Sequence, residues 1–436
     1  MITYHRKREF KIQNSKFKMQ RMKGGGVVTL IVAGILWANT ALAEEAGAKV
    51  AFSGQVRPRF EAQDFKDAQG FKDGLSPDTF TSMRTRMGVT GQPAEGVKVF
   101  VQVQDVRLWG EETNSSTDYR ADNFDLHQGY FELLKMGGRP FSLRAGRQEL
   151  AFAEERLVGV SNWTPQGRAF DGVRTTYSGK GGNLDLFLMK LREDSSPGRP
   201  PNSYFSGAYA RITRAKDQVV DLYALYDRVA GAGGVDRLTA GFYWSGKRGR
   251  VDYRVEFAHQ AGDLAGSDIN ANLLGATAGV SFGRQAPGQV ALWYDYLSGD
   301  SRGRASKVFS TLFGTNHKFY GFADYFTNMS VDTRNYGLQD AALKLSVKPE
   351  QRLTLGMDLH GFWTAAEIPK VGIPEAFIPT SDSFGREIDL TFTFVYRNAV
   401  TLTAGYSHFF VDDAMTFLRR LREDGNFAYV MTNVSF

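Results

Sequence analysis

Polar and apolar residues alternate with a period of two along most of this chain, which restricts it to strands whose two faces meet different surroundings. Over residues 97–103 the valines hold the odd positions, while Lys98 and Gln102 hold even ones. Val251, Tyr253, Val255 and Phe257 oppose Asp252, Arg254, Glu256 and Gln260 in the same way. The pattern returns in Ile388, Leu390, Phe392 and Phe394 against Glu387, Asp389, Thr391 and Thr393. It returns again in Leu353, Leu355, Met357 and Leu359 against Arg352, Thr354, Asp358 and His360. Helical periodicity is scarce, and no apolar run after Ala43 is long enough for a membrane-crossing helix.

Read by this period, strands are expected near 49–63, 79–90, 97–109, 124–134, 140–148, 168–178, 183–192, 204–213, 217–227, 236–245, 250–261, 271–282, 289–298, 339–347, 351–361, 384–396, 399–410 and 425–436, eighteen in all. Short polar turns, such as 91–96, 179–182, 246–249, 348–350 and 397–398, alternate with mostly longer connections. Outer-membrane barrels have this asymmetry: an even strand number, short turns at the periplasmic end and long loops at the outer end. In a sandwich the apolar face would be a core; in a barrel it meets lipid and the polar face lines a lumen. The expected fold is all-β, a transmembrane antiparallel β-barrel of outer-membrane type over residues 44–436. Tyr243, Trp244, Tyr294, Tyr296, Tyr406, Phe409 and Phe410, near strand ends, suit interfacial girdles, although aromatics also favour strands on their own account.

Residues 27–38 form a 12-residue, largely apolar run preceded by Arg21 and Lys23 and followed by Ala41, Leu42 and Ala43. That is the three-part pattern of a secretory signal, and it falls short of the roughly 20 residues a helix needs to span a bilayer. Residues 1–43 are therefore expected to be a signal peptide cleaved after Ala43; Met22 would by itself open a compact one. They carry eight Lys or Arg and one Glu, leaving 45 basic against 46 acidic residues. The formal +6 of the whole chain thus belongs to the leader, and a nucleic-acid partner loses its support. The absence of cysteine argues against a small disulfide-stapled secreted domain.

Arginine cannot face lipid without a large penalty, so arginines within strands mark the water side. Alternation puts Arg57, Arg59 and Glu61 on one face of the first strand, and Arg84 and Arg86 on one face of the second, opposite Met83, Met87 and Val89. Arg168 and Arg174 share parity in the sixth, with Val173 and Tyr177 facing out, and Arg254 lies between Asp252 and Glu256. Arg144 and Arg147 have opposite parity, so only one reaches the lumen unless a bulge or a strand end reconciles them. Alternation from Phe141 and Leu143 favours Arg144. Such groups serve either as ion-pair ladders that stiffen a wall or as a selectivity lining.

LRAGRQEL at 143–150, ERLVGVSNW at 155–163 and GRAFDGVRTTY at 167–177, with SGD at 298–300 and FGTNHKFYGFADYF at 313–326, resemble segments of the alginate export family of outer-membrane porins. The last stretch, FAYVMTNVSF, resembles the C-terminal signal of bacterial barrels, in which a terminal aromatic, here Phe436, is read by the barrel assembly machinery. The resemblance implies an eighteen-stranded monomeric barrel in the bacterial outer membrane, its lumen narrowed by arginines and carboxylates, through which an anionic polysaccharide leaves the cell. Periplasmic export partners would accompany such a channel. The resemblance also favours Arg147 as lumenal, with Glu149 on its face.

A polyuronate carries one carboxylate per sugar, so its conduit needs cations that attract it and counter-charges that prevent trapping. The arginine fork pairs with carboxylates while staying charged, and aromatics can lie along sugar faces. The candidate lining is Arg57, Arg59, Arg84, Arg86, Arg144, Arg147, Glu149, Arg168, Arg174, Asp252, Arg254 and Glu256. The longest connection, 299–339, is rich in aromatics and is expected to fold inward as a constriction, and the loop after 148 could dip into the pore. The connection 362–383, with Pro369, Pro374 and Pro379, is expected to be an extended surface segment. The six histidines have no close metal-ligand spacing, and no residue set calls for a cofactor or a catalytic role. Cargo is not written in these residues: uptake of small organic acids, or a plugged structural or adhesive barrel, stay open beside export.

Overall fold

The computed structural model describes residues 49–64, 78–110, 124–192, 203–215, 217–231, 233–369, 379–419 and 421–436. The expected signal peptide, and residues 370–378 of the proline-bearing connection, lie outside the described residues. Eighteen strands follow one another: β1 (Lys49–Gln63), β2 (Asp78–Ala94), β3 (Val97–Leu108), β4 (Phe124–Leu133), β5 (Phe141–Gln148), β6 (Phe170–Gly179), β7 (Gly182–Arg192), β8 (Ser203–Ala215), β9 (Gln218–Val229), β10 (Val235–Arg248), β11 (Val251–Leu264), β12 (Ser267–Phe282), β13 (Gly288–Leu297), β14 (Leu338–Glu350), β15 (Leu353–Trp363), β16 (Ser383–Tyr396), β17 (Val400–Val411) and β18 (Gly425–Ser435). Each pairs with its neighbours in the chain, and β18 closes antiparallel on β1 from Gln55↔Ser435 to Gln63↔Phe427. Closure leaves no unpaired edge, the condition for strands to cross a bilayer.

The alternation maps onto lipid and lumen residue by residue. Leu186, Leu222 and Leu390 are exposed on the outer face, while Asp185, Asp221 and Asp389, one position away in each case, are buried inside. A one-residue slip would carry all of these carboxylates into lipid, so the lipid face pins the register. At the seam, Gly54 and Phe436 exchange both backbone hydrogen bonds, at 2.8 and 3.1 Å, and the Phe436 ring lies where a Cβ on Gly54 would stand. The aromatic girdle is only partly as expected. Trp244, Tyr294 and Tyr406 face outward, but Tyr243 and Phe409 point into the barrel and are buried there.

Connections at the end carrying Gly179–Gly182 and Arg248–Val251 are tight turns, so this is the periplasmic end. The outer end holds the long loops, but β9 and β10 are joined by only 230–234, and β11 and β12 meet through Ala265 and Gly266, both at positive φ, in the two-residue turn favoured between twisted strands. Two outer loops, 149–169 after β5 and 298–337 after β13, turn inward and pack against the lumenal side of the wall. Phe309, Phe319, Tyr320 and Phe326 of the second are buried, Phe326 among Phe362, Phe384 and Phe409 of the wall. This barrel therefore has an interior core, made where loop meets wall.

Candidate functional site

The two inward loops are bonded to each other. Val158 and Phe313 form a parallel bridge, with Gly159 N donating to Phe313 O and Phe313 N to Leu157 O, each at 2.9 Å. Glu155 is the hub: its carboxylate accepts from the Thr315 hydroxyl at 2.8 Å and pairs with Lys318 at 2.7 Å, and its carbonyl accepts from Thr315 N at 2.9 Å. Trp163 stacks on His317. The second loop is tied to the wall through its backbone, where Ala323 N donates to Glu387 and Ser310 exchanges two bonds with Gln260.

On the opposite wall, Arg57 and Arg59 of β1 and Arg84 and Arg86 of β2 point inward and are buried, as their shared parity requires. Their guanidinium groups donate mainly to the main chain of the first loop. Arg57 reaches the carbonyls of Asn162, Trp163 and Thr164; Arg59 that of Trp163; Arg84 that of Pro165; Arg86 that of Gln166. Side-chain partners are fewer: Glu61 for Arg59 at 2.7 Å, Gln55 and Asn162 for Arg84, and Gln104 with Glu149 for Arg86. Glu149 also holds His127 at 2.8 Å.

The remaining expected lining residues spread around the wall. Arg174 pairs with Asp185 at 2.8 Å and lies over Phe152. Arg168 precedes β6 and belongs to the loop, where it donates to the carbonyls of Gly159, Phe313 and Gly314. Burial lowers its pKa, and Glu155 works against that shift. Arg254 covers the face of Trp293 at 3.8 Å and pairs with Glu154 of the loop rather than with its strand neighbours. Glu256 instead meets Arg156, and Asp252 accepts from Gln289.

Arg144 and Arg147 separate as parity demands. The β5–β6 register runs unbroken from Phe141↔Tyr177 to Gln148↔Phe170, so no bulge reconciles the two arginines. Arg144 faces inward, against Glu132 at 3.2 Å and over the Tyr130 ring. Arg147 shares parity with Val173 and Phe131, which are exposed on the outer face, and pairs at the outer rim with Asp171 at 2.8 Å and Asp125 at 3.8 Å. Its expected lumenal position is thus corrected. Gly146 between them sits at φ +127, with the carbonyl of Gly129 where its Cβ would be, so the two strands approach too closely there for any side chain.

Arg156 is the site residue the alternation could not find. It lies in the irregular stretch after β5, where no period assigns a face, and it carries a buried charge cluster: Glu256 at 3.1 Å, Asp295 at 2.9 Å, and the Tyr320 hydroxyl at 3.1 Å. Burial works to lower its pKa, but Asp295, Tyr320 and Glu256 together raise it above the ordinary arginine value. Burial has the reverse effect on Tyr320, raising the pKa of its hydroxyl. Below these contacts two cavities flank Trp293. One of about 420 Å³ is lined by Glu154, Asp252, Arg254 and Tyr243; one of about 250 Å³ is lined by Phe322, Lys344, Asp358 and Asp389. His360, the histidine beside hydroxyl and acidic residues in the sequence, is clamped by Asp340 at 2.9 Å inside the wall.

An antiparallel barrel closed on eighteen strands, apolar outside and lined with ion pairs inside, defines an outer-membrane channel. The fold is shared with OccK11 (OpdR) of Pseudomonas aeruginosa, at TM-score 0.60 and 11% identity over 89% of this chain and 96% of that one. It is shared too with OccAB1 of Acinetobacter baumannii, at 0.58 and 13% over 90% and 99%. The sequence matches the Alginate export family over residues 48–419, so the chain belongs to that family and resides in the bacterial outer membrane. No curated protein matches it.

Proposed function

We propose that this channel passes an anionic, alginate-like polysaccharide outward, without catalysis, along a lumen whose arginines compensate the cargo's carboxylates. The observation that carries this reading is the inward patch of Arg57, Arg59, Arg84 and Arg86, in which guanidinium groups outnumber the carboxylates that contact them among the described residues. Arg144, Arg168, Arg174 and Arg254 extend positive charge around the wall, with Glu149, Asp252 and Glu256 as counter-charges that keep the cargo from lodging. Arg147 at the rim is assigned no part in the pore. Insertion by the barrel assembly machinery through Phe436 and delivery by periplasmic export partners belong to the same reading. Reversal potentials in planar bilayers test it: Arg84→Ala, Arg86→Ala and Arg174→Ala are each expected to reduce anion preference, and unchanged selectivity in all three removes the assignment.

A second reading has its own support. Cavities of about 420 and 250 Å³ around Trp293, Arg254 and Lys344 suit a small organic acid better than a chain. Liposome flux of oligouronates against small carboxylates separates the two.

A further inference from the structure

Charge and partners are out of balance on the lumenal face of β1 and β2. Arg57, Arg59, Arg84 and Arg86 are each less than a tenth exposed, and among the described residues two carboxylates, Glu61 and Glu149, reach them. Their other donors go to neutral oxygens, the carbonyls of residues 162–166 and the side-chain amides of Gln55, Gln104 and Asn162, and the buried Arg57 Nε has no acceptor among the described residues. A guanidinium bonds a carboxylate more strongly than a peptide carbonyl, often through two parallel bonds. Main-chain oxygens here occupy a site whose chemistry favours anions.

Apart from the arginines, the segment that supplies those oxygens is held by Trp163 and by Ser161 N, which donates to Thr315 Oγ1 at 3.2 Å. It is a compact loop closed at its base, where Arg168 N donates to Val160 O at 2.7 Å, and Arg168 fastens that base to Phe313. Asn162, Thr164 and Gln166 are exposed, and Gly167 at φ +69 forms one end of the turn. Trp163 is its main apolar attachment, stacked on His317 and edge-on to Phe427 and Tyr429, and these contacts must be released for the segment to move. The segment can swing out without breaking a strand pair or the Val158–Phe313 bridge.

We propose that residues 161–167 form a displaceable gate, occupying the arginine patch in place of an anion, and that carboxylates of an entering anionic chain take over the guanidinium donors and lift the segment on its base. The proposal rests on the anionic-cargo reading above, and any polycarboxylate of suitable width should operate the gate. Gln104, buried beneath the segment as an acceptor for Arg86, gives a reporter position, because the chain has no cysteine of its own.

In the test, Gln104→Cys is made in the full chain, folding is checked by heat-modified gel mobility, and labelling by a membrane-impermeant maleimide is timed. Oligouronate and polyglutamate are each expected to raise the rate about tenfold, as one lost charge-assisted bond would, with no effect of a neutral oligosaccharide. Adding Arg84→Gln should raise it with no anion present. A rate unmoved by both polyanions, or raised equally by the neutral sugar, overturns the gate. Polyglutamate acting where oligouronate does not would uphold the gate and remove the sugar cargo. Should the cysteine variant fail to fold, the unsubstituted channel decides: polyglutamate raising small-ion conductance supports the gate, and block with no rise overturns it.

Discussion

Trp163 of one inward loop and His317 of the other lie face to face, ring centroids 3.8 Å apart and planes 7° from parallel. Arg59 covers the same indole at 4.0 Å and Tyr429 meets it edge-on. One side chain thus joins the β1 wall, the β18 wall and both loops. Trp163→Ala should remove about 0.5–1.5 kcal/mol of aromatic contact beyond the area lost. Exchange of amides 161–167 should then speed up severalfold in hydrogen-exchange mass spectrometry, with the strands unchanged. Equal exchange in both proteins would mean that the segment is held by its arginine contacts alone.

Arg156 is the opposite kind of contact. It places a charge between the buried Glu256 and Asp295, which among the described residues make no other salt bridge. Removing one partner of a buried ion pair leaves the other unpaired, at a cost of about 3–5 kcal/mol. Arg156→Met keeps much of the volume and loses the charge. We expect a clear drop in thermal unfolding temperature in detergent, together with larger conductance as the first loop loosens. Partial rescue by adding Glu256→Gln and Asp295→Asn would identify unpaired charge as the cause.

The base of the second loop carries a pH dependence of known sign. Burial pushes the Asp300 carboxyl up, but the hydrogen bond from Arg304 at 2.8 Å and the amide of Arg302 at 2.6 Å outweigh it, leaving the pKa below its ordinary 3.8. A depressed carboxylate stabilises the fold above the ordinary value, and that contribution is lost as pH falls through the lower, folded value. Exchange of amides 301–304 should accelerate in strong acid beyond the intrinsic pH effect. In Asp300→Asn the same amides should be fast at neutral pH, with no further acid step. An acid step that persists in the variant assigns the effect elsewhere.

How much of this was legible in the sequence follows from where a period exists. Along the strands, alternation located every wall: Arg57, Arg84, Arg174 and Arg254 point inward because Val56, Met87, Val173 and Phe257 are exposed on the outside. It resolved Arg144 from Arg147 as well, and there the family resemblance pointed the wrong way. The inside of the barrel was less legible. Arg156 and Asp295 meet across a loop and a strand far apart in the chain, and no local pattern encodes which carboxylates a loop arginine will reach. That the arginines of β1 and β2 would be taken up by loop carbonyls was equally hidden, because backbone acceptors carry no sequence signature. Aromatic residues misled for a related reason: Tyr243 and Trp244 are adjacent and similar, and only the register sends one inside and the other to lipid.

That register can be tested at two adjacent positions midway along β13. Leu292 is 65% exposed on the outer face, while Ala291 is buried and lines both cavities beside Trp293. A lysine facing the middle of the bilayer costs about 2–4 kcal/mol, falling toward zero at the interfaces. Leu292→Lys should therefore shift the urea midpoint for folding into lipid vesicles downward by that amount. Ala291→Lys puts the same charge on the water side, near Asp252 and Glu154 but also directly across from Lys344 and beside Arg254, so its midpoint should move less than that of Leu292→Lys while small-ion conductance changes. The two positions are adjacent and receive the same charge, so the contrast reports chiefly which face of β13 each occupies. Equal destabilisation, or a larger loss for Ala291→Lys, would mean that β13 is turned the other way and that the inward placement of Trp293, Asp295 and the cavities they border is wrong.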